Sequence, residues 1–194
     1  LADEKWEGRL CVRSSNNIYN QSLVASMIES HGEEVTEEWA VGLVQNFARD
    51  PQGGDTDQIR AVAAGLCDVT IANHYYLARL VRSDDSQDQE VATAVRIYFP
   101  PAEYGGAHVN ISGAGIAANS PNRENAVQFL EYLATREAQQ IYAVGNNEFP
   151  VLDGVELPAA LDAFGDYESD AVNVTSYGMN NPAAIRLMDR AGWR

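Results

Sequence analysis

The stretch CDVTIANHYYLARL, residues 67–80, decides how the rest of the chain is read. Its first half, 67–73, is short and β-branched, as a buried strand is, and a helix is expected from about Tyr76 to Arg82. Residues 10–13 repeat that order upstream: an alternating apolar run breaks into a Ser-Ser-Asn-Asn loop and helix follows. From Asn20 the positions Leu23, Val24, Met27 and Ile28 recur at helical spacing, and Gly32 stops them.

Moving outward, Thr36 with Glu37 and Glu38 is expected to cap a second helix through about Ala48, with Trp39, Val41, Leu43, Val44 and Phe47 as its stripe. The segment RDPQGGDTDQ, 49–58, reads as a loop, and Thr56 or Asp57 caps a short helix to Gly65. SDDSQDQE, 83–90, reads as a polar loop and 95–99 as a strand; PPAEYGG, 100–106, breaks the chain, and 108–120 is strand-like but glycine-rich. Residues 121–143 form the clearest helix, with Ser120 as cap and Pro121 at its first position, and 182–191 forms a last one ending at Gly192. Strands alternating with helices predict an α/β layer fold with a largely parallel sheet. Ligands of such sheets sit beyond the carboxyl ends of strands, which selects residues 14–20 and 73–76.

Charge narrows the function. Thirteen Lys and Arg stand against 28 Asp and Glu in 194 residues, a net −15. Such a chain repels polyanions and anionic membranes, so no nucleic acid is expected as partner and no direct membrane insertion. No apolar run approaches the roughly 18 residues of a membrane span. Residues 1–20 lack the basic start and apolar stretch of a signal peptide, so the mature chain is expected to be soluble or to have lost its leader. The two cysteines, Cys11 and Cys67, lack metal spacing and leave two states open, two buried thiols or one bridge. No GxSxG, HExxH, Walker loop or CxxC is present, Gly113 and Gly115 lack a dinucleotide fingerprint, and Ser112 has no base to serve it as nucleophile, so no enzyme is expected.

Asn73-His74-Tyr75-Tyr76 is the most unusual word. Neighbouring tyrosines address one ligand only where the chain leaves a strand and turns, and this pair sits at such a place. A tyrosine pair packs well in any interior, which is the structural alternative. As ligands, two phenolates suit a hard, highly charged cation: a phenol with an ordinary pKa near 10 stays neutral at pH 7 unless a metal stabilises its anion, and ferric iron does so. In the other word, Arg13 to Asn20, hydroxyls and amides precede a helix N-terminus, so Arg13, Ser15 and Asn17 form an anion-binding candidate, or else Ser15 or Asn17 caps the helix. Tyr19 reaches toward the same crevice as Tyr75 and Tyr76. His74 is expected to face away from the tyrosines, and His31 and His108 to have no convergent partners.

SSNNIYNQS (14–22), NHYYLARL (73–80), the 108–139 segment and NNEFPV (146–151) together resemble the ferric-ion-binding periplasmic proteins, the substrate-binding subunits of bacterial iron ABC transporters. The resemblance implies a type II periplasmic-binding-protein-like lobe with a mixed, mostly parallel sheet flanked by helices. It implies residues 1–106 as the second lobe, 107–157 as a returning segment of the first, and 158–194 as a helical tail on the second lobe. It implies Tyr19, Tyr75 and Tyr76 as metal ligands for Fe3+, with Arg13, Ser15 and Asn17 near a synergistic anion such as carbonate or phosphate. The implied partner is an inner-membrane ABC permease and the implied location is the periplasm. There a bridge between Cys11 and Cys67, which each flank a strand central to one sheet, would suit the oxidising milieu. Family members exceed this chain in length, so it is expected to be their carboxyl-terminal portion. Two readings compete with iron capture: a protein of the same fold holding an organic anion or other small solute, and a fragment that binds nothing.

Overall fold

The computed structural model describes all 194 residues, Leu1–Arg194, and its chain divides into two compact units, Leu1–Asn110 with Tyr167–Arg194, and Ile111–Asp166. In the first unit β1 (Leu10–Cys11) pairs in parallel with β2 (Val69–Thr70), Leu10 against Val69 and Cys11 against Thr70. Residues 46–48 extend the strip on the other edge: the Leu10 N–H donates to the Asn46 carbonyl at 3.1 Å and the Ala48 N–H to the Leu10 carbonyl at 2.8 Å. Around it run α1 (Ile18–His31), α2 (Glu33–Gln45), α3 (Asp55–Ala63), α4 (His74–Val81) and α5 (Ser86–Ala94). The second unit holds α6 (Arg123–Leu133), α7 (Arg136–Asn146) and α8 (Ala159–Asp162), and α9 (Thr175–Ala191) returns to the first.

Alternation along β1 builds the layers, because successive strand side chains point to opposite faces. Leu10 and Val12 enter a core with Val24 and Ala25 of α1, Ala40 and Leu43 of α2, Ala184, Leu187 and Met188 of α9, and Trp193. Cys11 turns the other way, to Ala61 of α3 and Cys67. Cys11 and Cys67 form a disulfide with their Cα atoms 5.9 Å apart, which resolves the two states the sequence left open.

Several elements depart from expectation, each for a local reason. Gly32, at φ +81°, ends α1 and starts α2 with no linker, so Thr36 lies inside α2 and its hydroxyl donates to the Gly32 carbonyl at 2.7 Å. Neither Thr56 nor Asp57 caps α3: Asp55 is its first residue, and the Asp57 carboxylate reaches back to the Gly54 N–H at 2.7 Å. The polar segment after α4 is helical: Asp85 caps α5 through the Gln87 N–H, and Asp88 ties it down by an ion pair to Arg60 at 2.6 Å although α5 buries no residue. Residues 95–99 and 108–120 pair with no strand; Ala107 alone makes a parallel bridge, to Ser169. There Gly106 is required, since at φ +82° a Cβ would lie 2.8 Å from the Ser169 carbonyl group. α9 begins at Thr175, two turns before Pro182, because Asn180 and Asn181 bond across to Glu29 and Gln21 of α1.

In the second unit the long helix is broken in two. Thr135 donates to the Tyr132 carbonyl at 2.7 Å and accepts from the Ala138 N–H at 3.4 Å, so its side chain ends α6 and caps α7. α6 starts at Arg123 with Asn122 as its flanking residue, not at Pro121. Ala138, Ala143, Val155, Ala160 and Leu161 are buried, while Phe129 and Ile141 remain 59% exposed.

Candidate metal centre

Both ends of the strand pair lead to the selected words. β1 runs through Val12 into the 13–17 loop, and β2 runs into Asn73, the residue that opens α4. Asn17 caps α1 by accepting from the Tyr19 N–H at 3.0 Å, so Tyr19 stands on the first turn of α1. Tyr75 and Tyr76 stand on the first turn of α4, which begins at His74, two residues earlier than expected.

The three phenols meet. The Tyr75 hydroxyl donates to the Tyr19 hydroxyl at 2.9 Å, and the Tyr75 and Tyr76 rings lie 4.4 Å apart between centroids, tilted by 31°. Burial, and then hydrogen bonding to Tyr19 and Tyr76, push the Tyr75 phenol well above its ordinary pKa of 10.0. As the site stands, that phenol is neutral at any physiological pH. Positive charge sits around it: the Arg79 guanidinium lies 5.0 Å and 5.2 Å from the Tyr75 and Tyr76 ring centroids, and Arg13 lies 5.5 Å from that of Tyr19. His74 packs edge-on to Tyr75 at 5.9 Å. No group of three His, Cys, Asp or Glu side chains is placed to hold a metal ion, so phenol oxygens are the donors this site offers.

The anion candidates are only partly brought together. Asn17 spends its side-chain oxygen on the helix cap, and Ser15 is tied by its carbonyl to the Gln21 carboxamide at 3.1 Å. Arg13 is held by a residue that sequence reading missed. Asp55, 2% exposed, accepts from Arg13 Nη1 at 2.7 Å through one oxygen and from the Asn73 backbone N–H at 2.8 Å through the other. Burial works against the Arg13 charge, but Asp55 and then the Tyr76 phenol outweigh it, and the guanidinium pKa rises above its ordinary value. Asp55 thus bridges the two words. At the start of α3 it reads in sequence as one more acid of a first helical turn, with no signal linking it to positions 18 and 42 residues away.

A second polar cluster corrects the expectation that His108 lacks partners. His108 Nε2 lies 3.0 Å from the Ser22 hydroxyl and Nδ1 lies 3.2 Å from Asp170. Ser22 also donates to the Tyr19 carbonyl, Ser26 donates to Asp170 at 2.8 Å, and the Asn110 carboxamide donates to Asn73 Oδ1 at 3.0 Å. Ser, His and Asp stand in the order of an acyl-transfer triad, yet Ser22 is only 9% exposed within α1 and its hydroxyl is bonded to a helix carbonyl, so the cluster, through Asn110, ties α1 and Asn73 together.

Comparison with known proteins places the whole chain. The profile described as bacterial extracellular solute-binding protein matches residues 1–168. Iron uptake protein A2 of Synechocystis is 52% identical over 196 residues, which cover 100% of this chain and 57% of that protein. The major ferric iron-binding protein of Neisseria meningitidis serogroup B is 25% identical, over 100% of this chain and 56% of its own. Among solved structures, a Trichodesmium protein in complex with iron and citrate matches at TM-score 0.96 and 54% identity, covering 100% of this chain and 61% of that one. Apo FutA2 from Synechocystis matches at TM-score 0.95 and 51% identity, over 100% of this chain and 62% of its own. The chain therefore spans somewhat over half the length of these relatives. Their fold is the type II periplasmic-binding-protein kind, and the expected α/β lobe is the one seen here. The relatives are named for uptake and binding, not catalysis, and no helix of this chain is long and apolar enough to cross a membrane. With the profile spanning residues 1–168 and all of this chain shared with the Synechocystis relative, the chain belongs to the bacterial extracellular solute-binding protein family.

Proposed function

We propose that this chain supplies the tyrosine ligands of a periplasmic binding protein, not an enzyme, that captures ferric iron and delivers it to an inner-membrane ABC permease. The observation that carries this reading is the meeting of Tyr19 and Tyr75 hydroxyls at 2.9 Å with Tyr76 stacked beside them. The names of the relatives, iron uptake protein and ferric iron-binding protein, support it. Three phenols become three phenolates when a trivalent cation displaces their protons, and the charges then balance. Divalent ions, with less charge to offset the deprotonation of a half-buried phenol, are discriminated against. Arg79 stabilises the phenolate form over the ring faces of Tyr75 and Tyr76.

Because binding releases protons, acidification releases iron. A carbonate or phosphate ion at this site has the Ser15 hydroxyl and the Asn17 amide nitrogen as its partners beside Arg13. The lobe assignment that goes with this reading makes residues 1–106 with 158–194 the second lobe and 107–157 a returning part of the first; the compact units divide nearby, after Asn110 and after Asp166, so that 158–166 fall with the returning segment. A second reading, capture of an organic anion, is favoured by Arg13 at the strand end, and the Trichodesmium relative was solved with citrate as well as iron.

One spectrum separates the two. Ferric citrate added to the purified chain should develop a visible phenolate-to-iron band, and the double variant Tyr75→Phe, Tyr76→Phe should abolish it. An unchanged band in that variant, or none in the parent chain, refutes the ferric reading.

A further inference from the structure

Beside three phenols that are to become anions lies a guanidinium that never loses its proton, 5.5 Å from the Tyr19 ring centroid, where its charge would repel a cation held by those phenols. Arg13 is part-buried, its side chain 20% exposed, and its Nε atom is buried with no hydrogen-bond partner, so water and small ions screen its charge only in part. The side chain of Asp55 is 3% exposed and points one carboxylate oxygen at Arg13 Nη1, 2.7 Å away. Its other oxygen accepts from the N–H of Asn73, at the N-cap of the helix that carries Tyr75 and Tyr76.

We propose that Asp55 is the built-in counter-ion of the metal site: it cancels the Arg13 charge and holds the guanidinium against Tyr76 and Tyr19, so the phenols face the incoming ion with no uncompensated cation beside them. Asp55 does not touch the ion; it is a positioning residue acting through Arg13 and the α4 N-terminus. The inference rests on the ferric reading above and adds a residue to it.

Charge makes the role testable apart from structure. Asp55→Asn keeps an oxygen for the Asn73 N–H but leaves Arg13 as a part-buried cation without its counter-charge, whereas Asp55→Asn combined with Arg13→Gln removes both charges. Replacing both partners of a buried pair is far better tolerated than removing one. The experiment measures ferric affinity of the full chain from its phenolate band, titrated with ferric citrate against a chelator, with the fold of each variant checked by circular dichroism. Asp55→Asn should lose affinity by about tenfold or more, with the band moved to shorter wavelength as the freed guanidinium stabilises the phenolates. The double variant should return toward the parent affinity and wavelength. Parent-like affinity in Asp55→Asn, or a double variant as weak as the single, overturns the counter-ion role. Should Asp55→Asn not fold, Arg13→Gln replaces it: leaving an extra negative charge, it must bind iron no more weakly than the double variant, and weaker binding overturns the proposal. Absence of any band in the parent chain overturns the ferric reading instead.

Discussion

The bridge between Cys11 and Cys67 offers the most direct measurement on this fold. It closes a loop of 56 residues, from β1 to the residues just before β2. Cross-linking a loop of that length lowers the entropy of the unfolded chain by an amount worth about 4 kcal/mol at 25 °C. Both cysteines are buried, at 0% and 3% exposure, so Cys11→Ala with Cys67→Ala introduces no unsatisfied polar group into the small core with Ala61. The expected loss is therefore close to the loop term, and it corresponds to a fall in melting temperature on the order of 10–15 °C for a unit of this size. Equilibrium urea unfolding of parent and variant measures the difference, and reduction of the parent should reproduce it. The bridge also fixes the relative placement of β1, which leads to Tyr19, and β2, which leads to Tyr75. Ferric affinity should therefore fall in the alanine variant even where it remains folded. Two titratable thiols in denatured, unreduced parent protein, or an unfolding midpoint untouched by the substitutions, would refute the reasoning.

Two further outcomes follow from the same geometry. Trp193 is fully buried against Phe47 at 6.0 Å and Trp39 at 6.5 Å, and its indole N–H donates to the Arg13 carbonyl at 2.9 Å. Trp193→Ala should cost about 3–5 kcal/mol of stability by urea unfolding, while Trp193→Phe, which gives up chiefly the hydrogen bond, should cost about 1 kcal/mol. Burial lowers the His108 pKa below its ordinary 6.5, with Asp170 pulling the other way but less. The folded chain thus resists a proton that the unfolded chain accepts, so stability is full above pH 6.5 and is lost as pH falls through the folded pKa. Denaturant midpoints measured across that range should decline toward acid in the parent and decline less in His108→Gln.

Much of the local structure was legible because it depends on near neighbours. Gly32 and Gly192 end helices where the apolar periodicity stops, and the Asn17 side chain caps α1 over two residues. The misread elements are those in which a side chain competes with the backbone or a partner strand is needed. Thr135 splits one periodic run into two helices, Asp85 turns a polar run into a helix, and the β-prone residues 95–99 form no strand because a strand exists only with a ladder to join.

The candidate site divides along the same line. Residue type and turn position, properties of a few consecutive residues, were enough to single out Tyr19, Tyr75, Tyr76 and Arg13. Their meeting was not, because it depends on parallel pairing of β1 with β2, on a disulfide across 56 residues, and on an indole 180 residues from the carbonyl it holds. Asp55 belongs wholly to that second class: an acid in the first turn of a helix is common, and only the folded chain sets its two oxygens between Arg13 and Asn73. Local preference is written in adjacent residues, whereas a buried charge finds its partner only when the packing of distant segments removes water from both.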